Sequence, residues 1–463
     1  MTQKTIFFTS FHGYISRNIL STETFARLRA VPAVRVVVFA LDYKRPYFEK
    51  NFAGENVIIE GVPFDPPSKR LATLVCKRIA KFALDSYSVR NQRRMKWKRE
   101  GKLFYFLATS LVATVLAHSR LLRALMRQLD YMVAQRDRYR PYFERYQPSL
   151  VVATDIQNER DVEVLQNARF FGVRSLAMVR SWDNLTTHGF IRALPDRLLA
   201  TCATVREQAI TFNDMPPGAI EVVGITHYDK YRRGPMCTKE EFFRSMGLDP
   251  GKKTILYATV GDHYLMENDA DPYVFELLGR EPYQVIVRFS PSVPVATLKD
   301  ARPYPNMVFD RPGVNFREGD MGDQEMSQED DDRLMHELYF SDVVVCGPST
   351  VCLDAISLDK PVVLIDCYRN PKKEHEKVQL YHYNNFRLIF GADALARATS
   401  GDSLVKLIEE AIKNPSRRGE GRERVRRAYC GPLDGRSGER LAAVMLRESG
   451  VVTTSQNPFA SSS

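Results

Sequence analysis

The chain has 463 residues, which is too long for one ordinary hydrophobic core and suits two domains of roughly 200 residues each. Hydrophobic residues make up 44% and charged residues 26%, a composition that indicates neither wholesale disorder nor an integral membrane protein. The net charge of +10 predicts polyanionic partners such as nucleic acid, anionic lipid or phosphorylated substrates. Seven cysteines without a CxxC pair favour a reducing cytoplasm over a zinc site or a disulfide framework.

The first third of the chain predicts the opening of a doubly wound α/β domain. Strands are predicted at residues 5–10, 34–41 and 57–62, because each is an apolar run bounded by turn residues. His12 follows the first strand, and Arg17 and Asn18 lie where the next helix begins. Open α/β sheets bind ligands at the carboxyl ends of their strands, so these three residues are candidate contacts.

The pattern changes between Arg90 and Arg127. The basic segment RNQRRMKWKREGK is followed by an apolar run over residues 103–117 and then by further arginines. The apolar run is shorter than the roughly 20 residues that a membrane-spanning helix needs, so we expect no transmembrane helix here. Two interpretations stay open, a helical hairpin packed on its own domain and an amphipathic basic helix lying on an anionic membrane surface.

Two further strands of the first domain end in polar residues. The strand in PSLVVATD leads to Asp155, and the strand at residues 173–179 leads into the loop RSWDNLTTHGF, which contains Trp182, Asp183 and Asn184. Loops at the carboxyl ends of strands often carry chemistry, so this loop is a candidate catalytic segment. The alternative is an Asx-turn in which Trp182 only anchors the packing.

A second sheet is predicted to begin at Thr254, after a hinge between about Tyr231 and Lys252. Its first strand ends in Thr259, Val260 and Gly261, and the next strand ends in Arg288. The acidic segment from residue 318 to residue 332 has few apolar residues, and we expect a solvated loop rather than a metal site.

The most informative segment is FSDVVVCGPSTVCLDAISLDKPVVLID, residues 340–366, which predicts a strand, a tight turn, a helix and a second strand. Pro348 lies in the turn, and Ser349 or Thr350 can cap the helix. A helix start of this kind can bind phosphate, and Asp354, one turn later, can reach the hydroxyls of a ribose. The alternative is a plain βαβ crossover without a ligand.

The predicted order is therefore two α/β domains and a short C-terminal extension. Residues 1–232 form the first domain, with a helical insertion at about 70–145, and residues 250–434 form the second. Residues 435–449 form a C-terminal helix, and the Ser/Thr-rich residues 450–463 form a disordered tail. Neither a GxGxxG fingerprint nor a Walker loop is present.

Four motifs together resemble a known family. SWDNLTTHG, VVGITHYDKY, SDVVVCGPSTVCLDA and LDGRSGERLA are similar in order and spacing to bacterial GT-B glycosyltransferase-like proteins of surface-polysaccharide synthesis, relatives of the CDP-glycerol glycerophosphotransferases. The resemblance covers the chain from about Arg180 to Leu446. It implies an α/β fold in which two Rossmann-like domains face a central cleft, with the nucleotide donor on the second domain and the acceptor on the first.

The resemblance also implies roles for particular residues. Asp183, at the position of the His that the glycerophosphotransferases carry in a similar Trp-led loop, is the first candidate for the catalytic base, and His12 is the second. The predicted donor contacts are Thr259, Gly261, Arg288, Pro348, Ser349, Thr350 and Asp354. The predicted acceptor contacts are Arg17, Asn18, Asp155, Trp182 and Asn184. In the family's Arg-x-His-Pro element the His is replaced here by Ser290, which favours glycosyl transfer over phosphotransfer.

The predicted function is metal-independent glycosyl transfer from a nucleotide-activated sugar, which is a substrate rather than a cofactor, to a glycan or lipid-linked acceptor. No cofactor, no metal and no nucleic acid are expected. The alternatives are a CDP-polyol phosphotransferase, a UDP-sugar 2-epimerase on the same fold, and a non-catalytic nucleotide-sugar binding protein. The expected location is the cytoplasm, at the inner face of the plasma membrane if residues Arg90 to Arg127 touch anionic lipid.

Overall fold

The structure is a computed structural model, and it describes residues 3–65, 71–265, 267–291, 293–317 and 324–451. The chain divides into two compact units. The first unit comprises Met1–His227 and Arg436–Ser463, and the second comprises Tyr228–Gly435. Each unit is built around one parallel β-sheet.

The sheet of the first unit has seven parallel strands in the order β3-β2-β1-β4-β5-β6-β7. The strands are β1 (Lys4–Thr9), β2 (Val34–Leu41), β3 (Val57–Val62), β4 (Leu150–Ala153), β5 (Arg174–Met178), β6 (Arg197–Ala200) and β7 (Ile220–Val222). The central strands are buried on both faces, which explains their continuous apolar runs. The strand order reverses between β1 and β4, and such a switch point is where open α/β sheets bind ligands.

Helices cover both faces of this sheet. They are α1 (Glu23–Arg29), α2 (Arg45–Phe52), α3 (Leu71–Phe82), α4 (Tyr87–Glu100), α5 (Leu103–Ala117), α6 (Arg120–Val133), α7 (Arg140–Tyr146), α8 (Glu159–Phe170), α9 (Asn184–Thr187) and α10 (Ala203–Asn213). On one face Phe8 packs in a core with residues of α1 and α2, and on the other Phe7 packs with residues of α7 and α8. Adjacent residues of β1 therefore serve opposite cores.

Helices α3 to α7 form the inserted helical region between β3 and β4 that the sequence predicted. Helix α5 packs against α3, α4 and α6. No described helix is long and apolar enough to cross a bilayer alone, and α5 and α6 meet that criterion only as a pair whose axes are bent by 103°. Two arginines of α6 do not lie on the surface, because Arg123 and Arg127 are buried and form ion pairs with Asp214.

The sheet of the second unit has six parallel strands in the order β10-β9-β8-β11-β12-β13. The strands are β8 (Thr254–Ala258), β9 (Gln284–Arg288), β10 (Met307–Asp310), β11 (Val343–Cys346), β12 (Val362–Ile365) and β13 (Ala396–Ala398). Strand β13 was not predicted, because ARA is short and contains no β-branched or aromatic residue. The order reverses between β8 and β11, which gives this unit a switch point of its own.

The helices of the second unit include one that corrects a prediction. They are α11 (Asp229–Arg233), α12 (Lys239–Ser245), α13 (Ala270–Gly279), α14 (Gln328–Phe340), α15 (Val351–Ser357), α16 (Asn384–Gly391), α17 (Gly401–Lys413) and α18 (Gly419–Tyr429). The acidic segment was expected to be a solvated loop, but its last five residues begin α14, with Asp330 and Asp331 buried. Ser327 caps this helix. Residues 318–323 lie outside the described part of the chain.

The last helix, α19 (Ser437–Glu448), belongs to the first unit. It packs against α1, and the Thr24 hydroxyl donates a hydrogen bond to the Gly438 carbonyl over 3.2 Å. Leu441 and Met445 are buried in the core on that face of the sheet. The sequence placed this helix after the second domain without assigning it to a core. The predicted disordered tail lies, from residue 452 onward, outside the described residues.

Candidate functional site

The first candidate site is the carboxyl edge of the seven-stranded sheet, where β1 and β4 end side by side. The backbone N–H of Thr154 donates a hydrogen bond to the Thr9 hydroxyl over 2.9 Å, and the Thr154 hydroxyl donates to the Thr9 carbonyl over 3.0 Å. The Thr9 hydroxyl donates in turn to the Asp161 carboxylate. These bonds join the loops that follow the two strands at the switch point.

Asp161 was missed by the sequence analysis. The Asn158 side chain caps α8 by accepting a hydrogen bond from the backbone N–H of Arg160, which places Asp161 in the first helical turn. The Asp155 backbone N–H donates to the Asp161 carboxylate over 3.2 Å. Burial, with a smaller contribution from the charge of Asp155, raises the pKa of Asp161 to about 7. The sequence signal that could have identified Asp161 was a helix-capping residue, Asn158, with an acid three residues later, shortly after the strand that leads to Asp155.

Asp155, a predicted acceptor contact, is buried and pairs with Arg180. The Arg180 Nε atom lies 2.7 Å from a carboxylate oxygen of Asp155, so the ion pair joins the loops after β4 and β5. A buried carboxylate needs such a partner, because an unpaired charge away from water is costly. Whether Asp155 contacts an acceptor stays a prediction.

His12, the second candidate base, is half-buried in the loop after β1. Its Nδ1 atom accepts a hydrogen bond from the Tyr14 backbone N–H over 3.3 Å, and its ring stacks on the Tyr14 ring. Burial, followed by the positive charge of Arg180, lowers the pKa of His12 to about 3. The imidazole is therefore neutral near pH 7, but it is a weak base.

Asp183, the first candidate base, lies in the loop after β5 and is half-buried. One of its carboxylate oxygens accepts a hydrogen bond from the Ser181 hydroxyl over 2.6 Å, and its backbone carbonyl accepts one from the Thr187 hydroxyl over 2.9 Å. Trp182 and Asn184 on either side are buried, so they fix the backbone of the loop around Asp183. The Asn184 Oδ1 atom has no hydrogen-bond partner in the described chain.

Arg17 and Asn18 lie in a π-helical turn, Ser16–Leu20, and not at the start of a long helix as predicted. A separate helix, α1, begins after the Thr22 cap. Arg17 is buried, and its guanidinium lies 2.8 Å from the His227 Nε2 atom and 3.1 Å from the Asn18 Oδ1 atom. Arg17 thus joins this turn to His227, the last residue of the first unit's N-terminal segment. π-Helical turns occur frequently at functional sites.

The second candidate site is the carboxyl edge of the six-stranded sheet, where β8 and β11 end side by side. A Cβ atom on Gly347 would lie 2.9 Å from the Val260 Cα atom, so glycine is needed for the close approach of the two loops. The Thr259 Oγ1 and Ser349 Oγ atoms are buried, and neither has a hydrogen-bond partner in the part of the chain that the structure describes. Buried hydroxyls usually have partners, so these two unpaired donors make this edge a candidate ligand site.

The helix after this turn differs from the prediction. Neither Ser349 nor Thr350 caps α15 through its side chain, and the helix has only seven residues, so its dipole is short. The Ser349 backbone N–H donates within the turn to the Gly347 carbonyl over 2.9 Å. Pro348 is buried, whereas Thr350 is exposed. The ligand-binding potential of this edge therefore comes from its hydroxyls more than from a capped helix start.

Two predicted donor contacts in this unit are already engaged. The backbone N–H groups of Val260 and Gly261 both donate to the Asp271 carboxylate over 2.8 Å, so the Gly261 N–H is not available to a phosphate. Asp354 is 1% exposed, and its carboxylate interacts with the hydroxyl of the buried Tyr228. Asp354 therefore faces the interior of the unit, which is a correction to its expected role on a ribose.

Arg288 is also corrected. It was expected to neutralise a leaving diphosphate, but it is 4% exposed and pairs with Asp310 and with Glu337 at 2.5 and 2.8 Å. Its guanidinium also donates to the Asp330 carbonyl over 3.1 Å. Burial raises the pKa of Glu337 to about 8, even though the charge of Arg288 opposes this shift. Arg288 is a structural cation that holds β9, β10 and α14 together.

Within the described ranges, no group of three or more His, Cys, Asp or Glu side chains is arranged to hold a metal ion. The candidate site residues of the first unit are Asp155, Asp161, Asp183, His12 and Arg180, at the edge of its sheet. Those of the second unit are Thr259 and Ser349, through their hydroxyls.

Comparison with known proteins gives a consistent fold. No protein-family model and no curated protein sequence matches the chain. A UDP-GlcNAc 2-epimerase structure from Methanocaldococcus jannaschii is similar over 96% of this chain and 99% of its own, with 11% identity and a TM-score of 0.52. The structure of a UDP-GlcNAc 2-epimerase from Neisseria meningitidis bound to UDP-GlcNAc is similar over 96% of this chain and 99% of its own, with 10% identity and a TM-score of 0.51.

A third similar structure is the wall teichoic acid polymerase TagF, which covers 96% of this chain and 88% of its own, with 12% identity and a TM-score of 0.50. These proteins have the GT-B fold, with two Rossmann-like domains, and the two parallel sheets found here match those domains. The predicted fold class is thereby confirmed. At 10 to 12% identity the likeness concerns the fold alone.

Proposed function

We propose that the protein is a metal-independent glycosyltransferase that moves a sugar from a nucleotide-activated donor to a hydroxyl of a cell-surface glycan or lipid-linked acceptor. The observation that carries this proposal is the carboxyl edge of the second sheet, where the Thr259 and Ser349 hydroxyls, on adjacent loops of a switch point, have no hydrogen-bond partner among the described residues. Hydroxyl donors suit the oxygen-rich diphosphate of a nucleotide sugar. The similar GT-B structures, solved with UDP-GlcNAc and with CDPG, support the same class of ligand.

The chemistry needs a base for the acceptor hydroxyl. The hydroxyl oxygen attacks the anomeric carbon, the bond from that carbon to the nucleotide diphosphate breaks, and the hydroxyl proton passes to the base. Asp183 remains the first candidate, because it is half-buried and one of its oxygens is oriented by Ser181. His12 stays the second candidate, because its Nδ1 atom already accepts a hydrogen bond from the Tyr14 backbone N–H.

A UDP-sugar 2-epimerase is the second candidate, and the likeness to epimerase structures over nearly the whole chain favours it. The likeness to TagF gives corresponding support to a CDP-polyol phosphotransferase. Glycosyl transfer accounts better than epimerisation for the exposed apolar side chains of the inserted helices. Such side chains suit an acceptor carried in a membrane, and an epimerase needs no acceptor. We propose that the enzyme works at the cytoplasmic face of the cell envelope, and these exposed side chains support that proposal.

Thermal unfolding with a panel of UDP-, CDP-, GDP- and CMP-linked compounds tests the binding step. We expect one base class to raise the melting temperature, because a ligand that binds only the folded state stabilises it. The double variant Thr259→Val with Ser349→Ala should lose about 0.5–1.5 kcal/mol of binding free energy per hydroxyl. The control Ser245→Ala, whose hydroxyl donates to the Phe242 carbonyl, should bind as the wild type does. A panel without any shift would contradict the proposal.

Mass spectrometry of the products then separates the candidate reactions. A glycosyltransferase that uses a nucleoside-diphosphate sugar releases nucleoside diphosphate and adds a sugar to the acceptor, whereas a polyol phosphotransferase releases nucleoside monophosphate and adds a polyol phosphate. An epimerase converts its UDP-sugar, without any acceptor, into an isomer of the same mass, so this product is identified by chromatographic separation of the two UDP-sugars. Nucleotide binding without turnover on any acceptor would identify a non-catalytic binding protein and would overturn the proposed activity.

A further inference from the structure

Helix α6 has its apolar and charged faces reversed. Its buried side chains include Arg123, Arg127 and Asp130. Its exposed side chains include an apolar stripe at a spacing of three or four residues, made of Leu121, Leu125, Leu129 and Met132, which are 70, 51, 52 and 63% exposed. A surface helix normally turns its apolar stripe toward the core. The stripe on α6 therefore requires a partner outside the unit's own core.

Buried ion pairs hold α6 in this orientation. Arg123 donates to the Asp214 carboxylate through Nε over 2.7 Å, and Arg127 donates to the same carboxylate over 2.9 Å. On the next turn Asp130 lies 3.0 Å from the guanidinium of Arg192. Rotating the helix to bury its leucines would break these pairs and leave charges uncompensated, which is strongly destabilising. The outward direction of the leucines is thus built into the fold.

The apolar surface extends over the two neighbouring helices. Phe104 and Leu111 on α5 are 85 and 66% exposed, and Leu71 on α3 is 76% exposed. Of the 20 large hydrophobic side chains that are exposed in the described chain, 13 belong to α3, α5 and α6, and these helices pack against one another. Single exposed apolar residues are ordinary, but a contiguous patch marks an interaction surface.

The charge of the protein is concentrated in the same segment. Residues 71–133 contain 13 Lys and Arg against three Asp and Glu, a net charge of +10 that equals the net charge of the whole chain. The other 400 residues carry 53 positive and 53 negative side chains. Exposed side chains such as Arg90, Lys102 and Arg120 contribute to this charge. An exposed apolar surface on a segment with this excess of positive charge matches an anionic bilayer.

The dimensions favour a contact along the bilayer surface. Helix α5 has 15 residues and is about 22 Å long, less than the roughly 30 Å of a hydrocarbon core. The 103° bend to α6 also prevents the pair from forming one straight span. At the turn between α4 and α5 the Trp97 ring stacks on Phe106, and Lys96 lies 4.8 Å from the Tyr105 ring centre. Aromatic and basic side chains of this kind are enriched at membrane interfaces.

We infer that the exposed apolar face of α3, α5 and α6 inserts into an anionic phospholipid bilayer, while the surrounding Lys and Arg side chains bind the headgroups. The apolar stripe of α6, rather than the basic α4 alone, makes the contact. A second copy of the chain fits this face poorly, because two such faces would each bring a net charge of +10. The inference deepens the proposed function by naming the surface on which a lipid-linked acceptor would be met.

Co-sedimentation of the full chain with vesicles tests the inference without nucleotide or acceptor. We expect binding to vesicles of phosphatidylcholine with phosphatidylglycerol, little binding to phosphatidylcholine alone, and weaker binding at high salt. The double variant Leu111→Glu with Leu125→Glu should lose at least about tenfold in vesicle affinity, because both side chains leave the lipid. Both positions are exposed, so folding should be unaffected. The control Met236→Glu, 67% exposed in the second unit, should bind normally.

Charge reversal and fluorescence give independent measurements. Lys98→Glu should weaken binding, whereas Lys406→Glu on α17 should not, since both lysines are exposed but only the first belongs to the basic segment. A blue shift of the tryptophan emission with anionic vesicles should disappear in Trp97→Phe. This distinguishes insertion from adsorption by charge alone.

Three results would overturn the inference. The first is equal vesicle binding by the wild type and the double leucine variant. The second is a dimer in sedimentation velocity that the double leucine variant abolishes. The third is salt-dependent binding to random duplex DNA in preference to anionic vesicles. Because nucleotide-induced thermal shifts are measured on the same protein without lipid, loss of lipid binding and loss of the proposed function can be told apart.

Discussion

The carboxyl edges of the two sheets share a topology and differ in chemistry. Both edges are switch points in which two neighbouring parallel strands are followed by diverging loops. In the first unit the loops carry charged and titratable groups, among them His12, Asp155 and Arg180. In the second unit the adjacent loops present the uncharged hydroxyls of Thr259 and Ser349.

The difference lies in where each unit places its charges. In the second unit the charged side chains near the strand ends are turned inward, where Asp271 binds the loop after β8 and Arg288 joins β9 to α14. Their structural use leaves neutral donors for a ligand. In the first unit the Asp183 carboxylate lies in the loop after β5, and the Asp161 carboxylate lies in the first turn of α8, directly after the loop that follows β4. The first edge is therefore suited to proton transfer and the second to holding a ligand.

Asp183→Asn tests the first edge most directly. With the donor that the thermal screen identifies, we expect kcat to fall by about 10²–10⁴, because the acceptor hydroxyl loses its base. The donor Kd should be unchanged. His12→Gln should lower kcat by less than about tenfold, since the His12 Nδ1 atom is already engaged by the Tyr14 backbone N–H. Asp137→Asn, at an exposed position, is the control. Wild-type turnover by Asp183→Asn would remove this residue from the mechanism.

Arg288→Met tests whether the charges of the second unit are structural. Removing the guanidinium leaves Asp310 and Glu337 buried with one partner fewer, and we expect the free energy of unfolding to fall by about 3–5 kcal/mol. Arg369→Met, which removes an exposed pair with Glu276, should cost less than about 1 kcal/mol. Urea titration measures both. A variant as stable as the wild type that no longer binds nucleotide would restore Arg288 to the donor site.

Asp161→Asn tests the electrostatics of the first edge through pH. The folded protein keeps a proton on Asp161 up to a pKa of about 7, whereas the unfolded chain releases it near 3.8. The folded state therefore binds more protons between these values, and the stability of the wild type falls as pH rises through this range. Relative to Asp161→Asn, the loss should be about 4 kcal/mol, because a shift of one pKa unit corresponds to roughly 1.4 kcal/mol. Parallel pH profiles of the unfolding free energy for the two proteins would contradict the assigned environment.

Gly347→Ala tests the close approach of loops at the second edge. The added Cβ atom would lie 2.9 Å from the Val260 Cα atom, so the loops must move apart, at a cost of about 1 kcal/mol. Nucleotide affinity should also fall if ligand binding depends on the close spacing of the loops that contain Gly347 and Val260. Gly391→Ala, with no atom within 4 Å of the added group, is the control. Thermal unfolding with and without nucleotide measures both effects, and identical behaviour of the two variants would argue against a site built on this contact.

The hydrophobic periodicity of the sequence predicted the local elements well. Continuous apolar runs such as VRVVVFAL predicted strands buried on both faces, and the strand-turn-helix pattern around Ser349 placed its turn at the end of β11. The helical insertion between β3 and β4 was also predicted. The short β13 and the helical end of the acidic segment were missed, because their composition is typical of loops and tertiary packing overrides it.

The sequence did not predict which side chains contact one another. The sequence places Arg288, Gly261 and Asp354 at or after strand ends, but it cannot show that Glu337, Asp271 and Tyr228 lie against them. It likewise shows a basic, apolar segment at α6 without showing that the arginines are buried and the leucines exposed. The amino-acid order by itself determined two α/β units and the strand ends at which the candidate residues lie, whereas the switch points follow from the strand order of the sheets. Only the tertiary structure decided which charges are used internally, because ion pairs form between residues that are distant along the chain.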